Sequence, residues 1–323
     1  MGVNLLYYRP WRGWFRRPAF SAWPIARVAL RMLLRRRLFW VLYGLGLLIF
    51  LMFFFGQFLL DWLETQIPSE PIRIGRLRIA SERLIAQVRR AISFLSGNQD
   101  TFRYFFAYQG SMLMVMLTLA GSVLVGNDFV FGSLPFYLAK PVSRWHYVLG
   151  KCLAVGVVVN LMTTVPALLL YLQAGFGNWD YFLDSDYFRG EDGRGGPAGL
   201  PLLLGILGYG LLLTAFLSVL LVATASWLRR TMPMIMGWTG LFLFLPLVAR
   251  ILVEVLRRDR HWLLIDLWND LCLVGNACLG VVNKGSRPGP QPELYGAALV
   301  LGGVCGLCLI YLNLRTRAVD VVK

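Results

Sequence analysis

The sequence predicts an all-α polytopic membrane protein, and three observations predict it. Of its 323 residues, 57% are hydrophobic and 15% charged, which is more apolar surface than a soluble fold of that length hides. Six runs are long and apolar enough to span ~30 Å of hydrocarbon: 38–60, 105–125, 152–173, 200–228, 234–253 and 294–314. The net charge of +15 falls on alternate connections between these runs. With the N-terminus cytoplasmic, the whole excess is cytoplasmic, as the orientation rule for short loops expects. The same distribution argues against a nucleic-acid partner, because the bases line one membrane face. A single membrane domain over 1–323 follows, multi-pass in the plasma or inner membrane, with both termini cytoplasmic.

Residues 1–37 hold nine Arg and no acid, interleaved with Tyr7, Tyr8, Trp11, Trp14, Phe15 and Trp23. Aromatics with Arg make a membrane-interface composition. From Pro24, Ile25, Val28, Ala29 and Met32 recur at three and four residues while Arg27 and Arg31 form another face. This predicts an N-terminal interfacial amphipathic helix leading into the first span. A basic tail that only sets topology is the plainer alternative. No cleavable signal peptide is expected, since the apolar run starts only at Leu38 and is too long for one.

The first span carries one polar residue, Gln57, easily outweighed by its Leu, Ile and Phe. The extracytoplasmic segment 61–104 follows and contains seven Arg, against the charge rule. In it Ile72, Ile74, Leu77 and Ile79 suggest short extended pieces. Leu84, Val88, Ile92 and Leu95 then form a helical stripe over 81–95 that Gly97 ends. That helix is either a contact surface or a rest on the outer leaflet.

Between the third and fourth spans, 175–198 is acidic, with Asp180, Asp184, Asp186, Glu191 and Asp192. The spacing does not match an EF-hand, so a solvated loop is expected. Arg229 and Arg230 turn the chain in the cytoplasm, and Pro246 is expected to kink the fifth span. Arg250 and Glu254 are spaced for an i,i+4 pair near its end. In 256–293, the stretch 261–282 is too polar for a seventh crossing and too apolar for a plain loop, with Asp266, Asn269 and Asp270 on one helical face. An outside or re-entrant helix is expected, bordering an exit path or resting at the interface with wet carboxylates. In the last span, Gly302, Gly303 and Gly306 have the small-residue spacing that lets a helix approach. Cys305 and Cys308 there read as packing rather than as a metal site, while Cys272 and Cys278 leave a disulfide open.

The connection 126–151, GNDFVFGSLPFYLAKPVSRWHYVLGK, is the most structured polar segment. Asn127 or Asp128 can cap a helix whose apolar stripe is Phe129, Val130, Leu134 and Leu138. Pro141 stops it, Ser143 can start the next helix, and Gly150 with Lys151 marks the return to the membrane. The expected result is a short cytoplasmic helix parallel to the membrane.

This stretch resembles the signature of ABC transporter permeases of type 2, the six-span exporter class. The matching positions are Asp128, Gly132, Ser133, Leu134, Pro141, Val142, Ser143, Arg144, Gly150 and Lys151. Asp128 stands where that family usually has Glu, and Ser133 where it usually has Thr. Residues 23–40 and 312–322 are similar to the interfacial helix and the basic end of such permeases. Within the class the chain looks most like permeases associated with multicopper-enzyme maturation and gliding motility.

The resemblance implies a coupling helix between spans two and three that contacts a separate ATPase. Two ATPase copies would dock beneath two permease copies in a homo- or heterodimer. It assigns Asp128 to capping or polar contact, Phe129 and Leu134 to apolar docking, and Gly132 and Pro141 to turn geometry. Arg144 and Lys151 would meet the partner or lipid headgroups, with Ser133, Ser143 and Gly150 completing the motif. Local folding or membrane anchoring is the plainer role for each.

No cofactor is expected in this chain. Gly150-Lys151-Cys152 lacks the upstream Gly and the Ser or Thr of a P-loop, so ATP would be bound by the partner. An enzyme is disfavoured, since His146 and His261 fall on opposite sides and no HExxH or Gly-x-Ser-x-Gly pattern occurs. A secondary carrier, which would want intramembrane ionisable residues and a repeat, and a non-transporting scaffold of the same fold are the alternatives.

Overall fold

A computed structural model of the chain describes residues 22–66, 72–74, 77–79, 95, 97–126, 128, 144–176, 180–183, 199–286 and 289–315. Six helices are long and apolar enough to cross a membrane: Arg37–Leu59, Gln99–Gly126, Trp145–Ala174, Leu200–Leu228, Thr231–Val255 and Leu294–Arg315. The chain is a multi-span helical membrane protein. Its only described strands are β1 (Ile72–Ile74) and β2 (Leu77–Ile79), an antiparallel ribbon that pairs Ile72 with Ile79. These are the extended pieces expected from the isoleucines. Residues 81–94 of the helix expected over 81–95, the acidic residues from Asp184 to Asp192 and the terminal segments 1–21 and 316–323 lie outside the described residues, and Leu95 is buried.

The bundle has an inner and an outer set of helices. In the apolar 18-residue stretch that marks each span, about two-thirds is buried in the second, third and fourth (65%, 61% and 61%), against 22%, 17% and 17% in the first, fifth and sixth. A helix that is apolar all round yet exposed is placed in lipid rather than water. The outer three therefore present their Leu, Phe and Val to the bilayer, while the inner three supply most of the core.

Two spans start earlier than their apolar runs suggest. The second is built from α3 (Gln99–Gly121) and a π-helical turn, Ser122–Gly126. Its first turn carries Asp100 and Arg103, which form an ion pair at 3.2 Å. The third begins with α4 (Arg144–Met162) and continues after Thr163 as α5 (Thr164–Ala174). Lys151 is therefore inside a helix rather than at its edge. Pairing lowers the cost of burying a charge, so a search for uncharged runs stops short at both places.

The expected interfacial helix is α1 (Ala22–Leu34), which meets α2 (Arg37–Gln66) at a tight elbow. Its buried face is Ala22, Ile25, Ala26, Ala29 and Leu33, and it packs on α4. Val28 and Met32, expected on that same face, are exposed, as are Arg27 and Arg31. The stripe thus splits: three alanines with Ile25 and Leu33 face the protein, and Val28 and Met32 share the outer side with the arginines. The elbow is fixed by Arg36 N donating to the Leu33 carbonyl at 2.9 Å and Trp40 Nε1 donating to the Leu34 carbonyl at 2.8 Å.

After a short helix, α6 (Asp180–Leu183), the fourth span is α7 (Leu200–Leu228), which ends at Arg229 with φ 55°. The fifth span is not a uniform α-helix. α8 (Thr231–Thr239) passes into π-helical winding over Gly240–Phe244, then α9 (Leu245–Arg250), then π-helical winding again over Ile251–Val255. Pro246 lacks an N–H and crowds the preceding turn, and the widened turn lies directly before it. Arg250 and Glu254 form no ion pair among the described residues, since the π-helical winding shifts Glu254 off the α-helical register.

The connection to the last span contains α10 (Leu267–Cys278), and this helix is buried in protein rather than resting in water. Asp266 caps it, accepting from Asn269 N at 3.0 Å. Trp268 covers Gly110 of α3, Tyr209 of α7 covers Gly275, and the Cys278 carbonyl lies on Gly205. Asp266, Asn269 and Asp270 are 5%, 5% and 0% exposed, so the wet carboxylates of the plainer alternative are ruled out. Asn269 binds Gln291 and Ser286, and Asn276 donates to the Lys284 carbonyl, which pins the descending loop.

Cys272 and Cys278 are not joined to each other, so the open disulfide is resolved against a bridge. The last span is α11 (Leu294–Arg315), on which Cys305 and Cys308 are half-buried. A side chain at Gly302, Gly303 or Gly306 would meet nothing within 4 Å. Among the described residues, no helix uses that spacing.

Candidate functional site

The second span ends and the third begins around one buried ion pair. Lys151 Nζ lies 2.6 Å from Asp128 Oδ2, with Lys151 1% and Asp128 7% exposed. The same ammonium donates to the Leu124 carbonyl at 2.5 Å. That carbonyl is in the π-helical last turn of the second span, where the final acceptors of a helix have no intrahelical partner. Lys151 therefore caps the C-terminal end of one span from the body of the next, and its positive charge suits the negative pole there.

Tyr147, 1% exposed, completes the group by donating its hydroxyl to Asp128 Oδ2 at 3.0 Å. Tyr147 and Lys151 are four residues apart on α4, so they share a face. The ammonium also lies 5.7 Å from the centre of the Tyr147 ring. One carboxylate oxygen thus receives two donors from one helix. Removing one member leaves the other charge buried and unpaired, which costs about 3–5 kcal/mol, whereas removing both costs far less.

The glycines on either side set the spacing. Gly126 packs directly on the Arg229 carbonyl, so no side chain fits there. At Gly150 a Cβ would come 2.8 Å from the Ala22 carbonyl and 2.9 Å from Ile25, so α1 rests on α4 only because this residue is glycine. Gly121 lies against Met234 and Leu221 in the same way. The ends of spans two, three and four and the start of span five are therefore gathered with α1 around Asp128.

Of the residues singled out in the sequence, the structure brings together Asp128, Gly150 and Lys151. Lys151, expected to meet the partner or lipid headgroups, is 1% exposed. It is enclosed in this chain, because Asp128 and the Leu124 carbonyl outcompete an exposed position. Arg144 opens α4. Phe129, Gly132, Ser133, Leu134, Pro141 and Ser143, with the expected short helix, lie outside the described residues. Tyr147 was missed, and its only signal was the four-residue step to Lys151. His146 and His261 are at opposite ends of the bundle, on the first turn of α4 and in the turn before α10.

A second polar group lies at the far end. Asp270 is fully buried, and among the described residues no donor reaches either of its oxygens. Burial first, and the Asp266 carboxylate second, push its pKa up to about 8. Burial likewise pushes the nearby Cys272 thiol up to about 12, which leaves it unreactive at neutral pH.

Compared with known proteins, the chain matches no family model and no curated protein.

Proposed function

We propose that this chain is the membrane-spanning permease subunit of an ATP-binding-cassette exporter, forming the translocation pathway and driven by a separate ATPase subunit. The observation that carries the reading is the buried Asp128–Lys151 pair. It ties together the two ends of the connection 126–151, the stretch whose residues resemble the type-2 permease signature. A push on a loosely tethered loop would be absorbed by the loop. A push on this one is passed to spans two and three together, and through Gly150 to α1.

In this reading the connection faces the cytosol, and two ATPase copies bind two copies of this chain. ATP is held and hydrolysed by the partner, and this chain performs no bond chemistry. ATPase closure displaces the connection, and the clamped ends of the inner spans shift the pathway between its two openings. The bases at the α1 end, Arg27, Arg31, Arg35, Arg36, Arg37, Arg229 and Arg230, suit a cytoplasmic placement.

The test is the double substitution Phe129→Asp with Leu134→Asp. Membrane insertion is expected to persist while co-purification of the ATPase is lost. Co-purification that survives both changes contradicts the docking role.

A further inference from the structure

A cavity of about 400 Å³ opens beside the α1–α2 elbow. Its walls are Leu33, Phe39, Leu42, Met116, Ala120 and Val123, from the elbow and from the inner half of the second span. Arg36, Arg37 and Thr231 line it as well. Apolar walls next to two guanidinium groups do not suit a small polar solute, because such a solute would lose its hydration without gaining partners. They suit a molecule with an apolar body and an anionic head.

Three further observations favour an anion beside these arginines. The elbow hydrogen bonds from Arg36 N and Trp40 Nε1 hold the backbone that carries Arg36 and Arg37. Thr231 is the first residue of α8, whose N-cap residue, Arg230, makes no side-chain cap. The positive pole of that helix therefore lies at the edge of the cavity that Thr231 lines. Arg229 and Arg230 bring two more positive charges to the same turn.

We infer that this cleft binds one acidic phospholipid, with an acyl chain against Phe39, Met116 and Ala120 and its phosphate between Arg36, Arg37 and the start of α8. The volume is at the small end of ligand pockets, ~300–1,000 Å³, which admits a chain and excludes a folded segment. Basic pockets between membrane helices are known to take lipid headgroups. The chain's own residues 1–21 are a poor occupant, since Arg9, Arg12, Arg16 and Arg17 repel the same arginines. The lipid bridges the elbow to the turn between spans four and five, joining an outer span to the group around Asp128. The inference is independent of the transport reading and holds for any role of a multi-span chain.

The full-length protein in detergent is titrated with phosphatidylglycerol, with phosphatidylcholine of the same acyl chains, and with inorganic phosphate, and bound lipid is counted by native mass spectrometry. The expected result is one phosphatidylglycerol held about tenfold more tightly than phosphatidylcholine, with no binding of phosphate alone. The double substitution Arg36→Gln with Arg37→Gln removes the preference, a loss of about tenfold or more for the two charges. Its lipid-free melting temperature is unchanged, since both side chains are exposed. Arg27→Gln with Arg31→Gln removes equal charge from the same end outside this cavity, and retains the preference. Ala120→Phe fills the cavity and weakens both lipids. Equal loss in the two arginine pairs, or phosphate binding as well as phosphatidylglycerol, overturns the site. So does a preference that appears only after residues 1–21 are removed.

Discussion

Lys151, four residues after Tyr147 on the third span, closes on Asp128 across the end of the second span, with Nζ and Oδ2 2.6 Å apart and both residues buried. Two spans that are separate in sequence thereby end as one body. The coupling proposed for the connection between them depends on that closure.

Breaking the pair from one side should be worse than removing it. Lys151→Met or Asp128→Asn alone is expected to cost about 3–5 kcal/mol, and the double variant to recover most of the loss. Tyr147→Phe, which removes one donor to a charged acceptor, is expected to cost about 1.5–3 kcal/mol. Thermal unfolding of the four variants in detergent, read as a double-mutant cycle, measures the coupling.

The glycines should separate by what they touch. Gly126→Ala drives a methyl into the Arg229 carbonyl, and Gly150→Ala drives one towards the Ala22 carbonyl. Each is expected to destabilise by about 1–3 kcal/mol, as overpacking does. Gly302→Ala meets nothing within 4 Å and is expected to be neutral or to stabilise by up to ~1 kcal/mol through helix propensity. Melting temperatures of the three single variants decide it.

Stability should fall as pH rises from about 4 to about 8, and Asp270 should be the reason. Its pKa is raised from 3.8 to about 8, first by burial and then by the Asp266 charge. The folded state therefore holds a proton that the unfolded chain gives up. That contribution is fully present below about pH 4 and is lost as pH rises through about 8. Asp270→Asn keeps the shape without the charge and should flatten the melting curve between pH 5 and 9. A wild-type slope that survives the substitution assigns the effect elsewhere.

The spans were legible because hydrocarbon thickness demands a length that only an unbroken apolar run supplies. The fourth span was legible from end to end, 200–228 in both sequence and structure. What stayed hidden depended on pairing. Asp128 and Lys151 each look like ordinary loop charges, and only the folded chain shows that they satisfy each other. The same blindness put the third span's start at Cys152 rather than Trp145. The polar face of α10 was visible from Asp266, Asn269 and Asp270. Its burial was not, because that comes from Trp268 reaching Gly110 and Tyr209 reaching Gly275.

The connection 126–151 is proposed to face the cytosol, where an ATPase can push it. A cysteine placed at Ser143, one residue before α4, reports its side through a membrane-impermeant maleimide, with the wild-type chain as background. Labelling that appears only after the membrane is permeabilised is the result this account predicts. Labelling in intact cells would put the clamped ends of spans two and three on the outer face and contradict it.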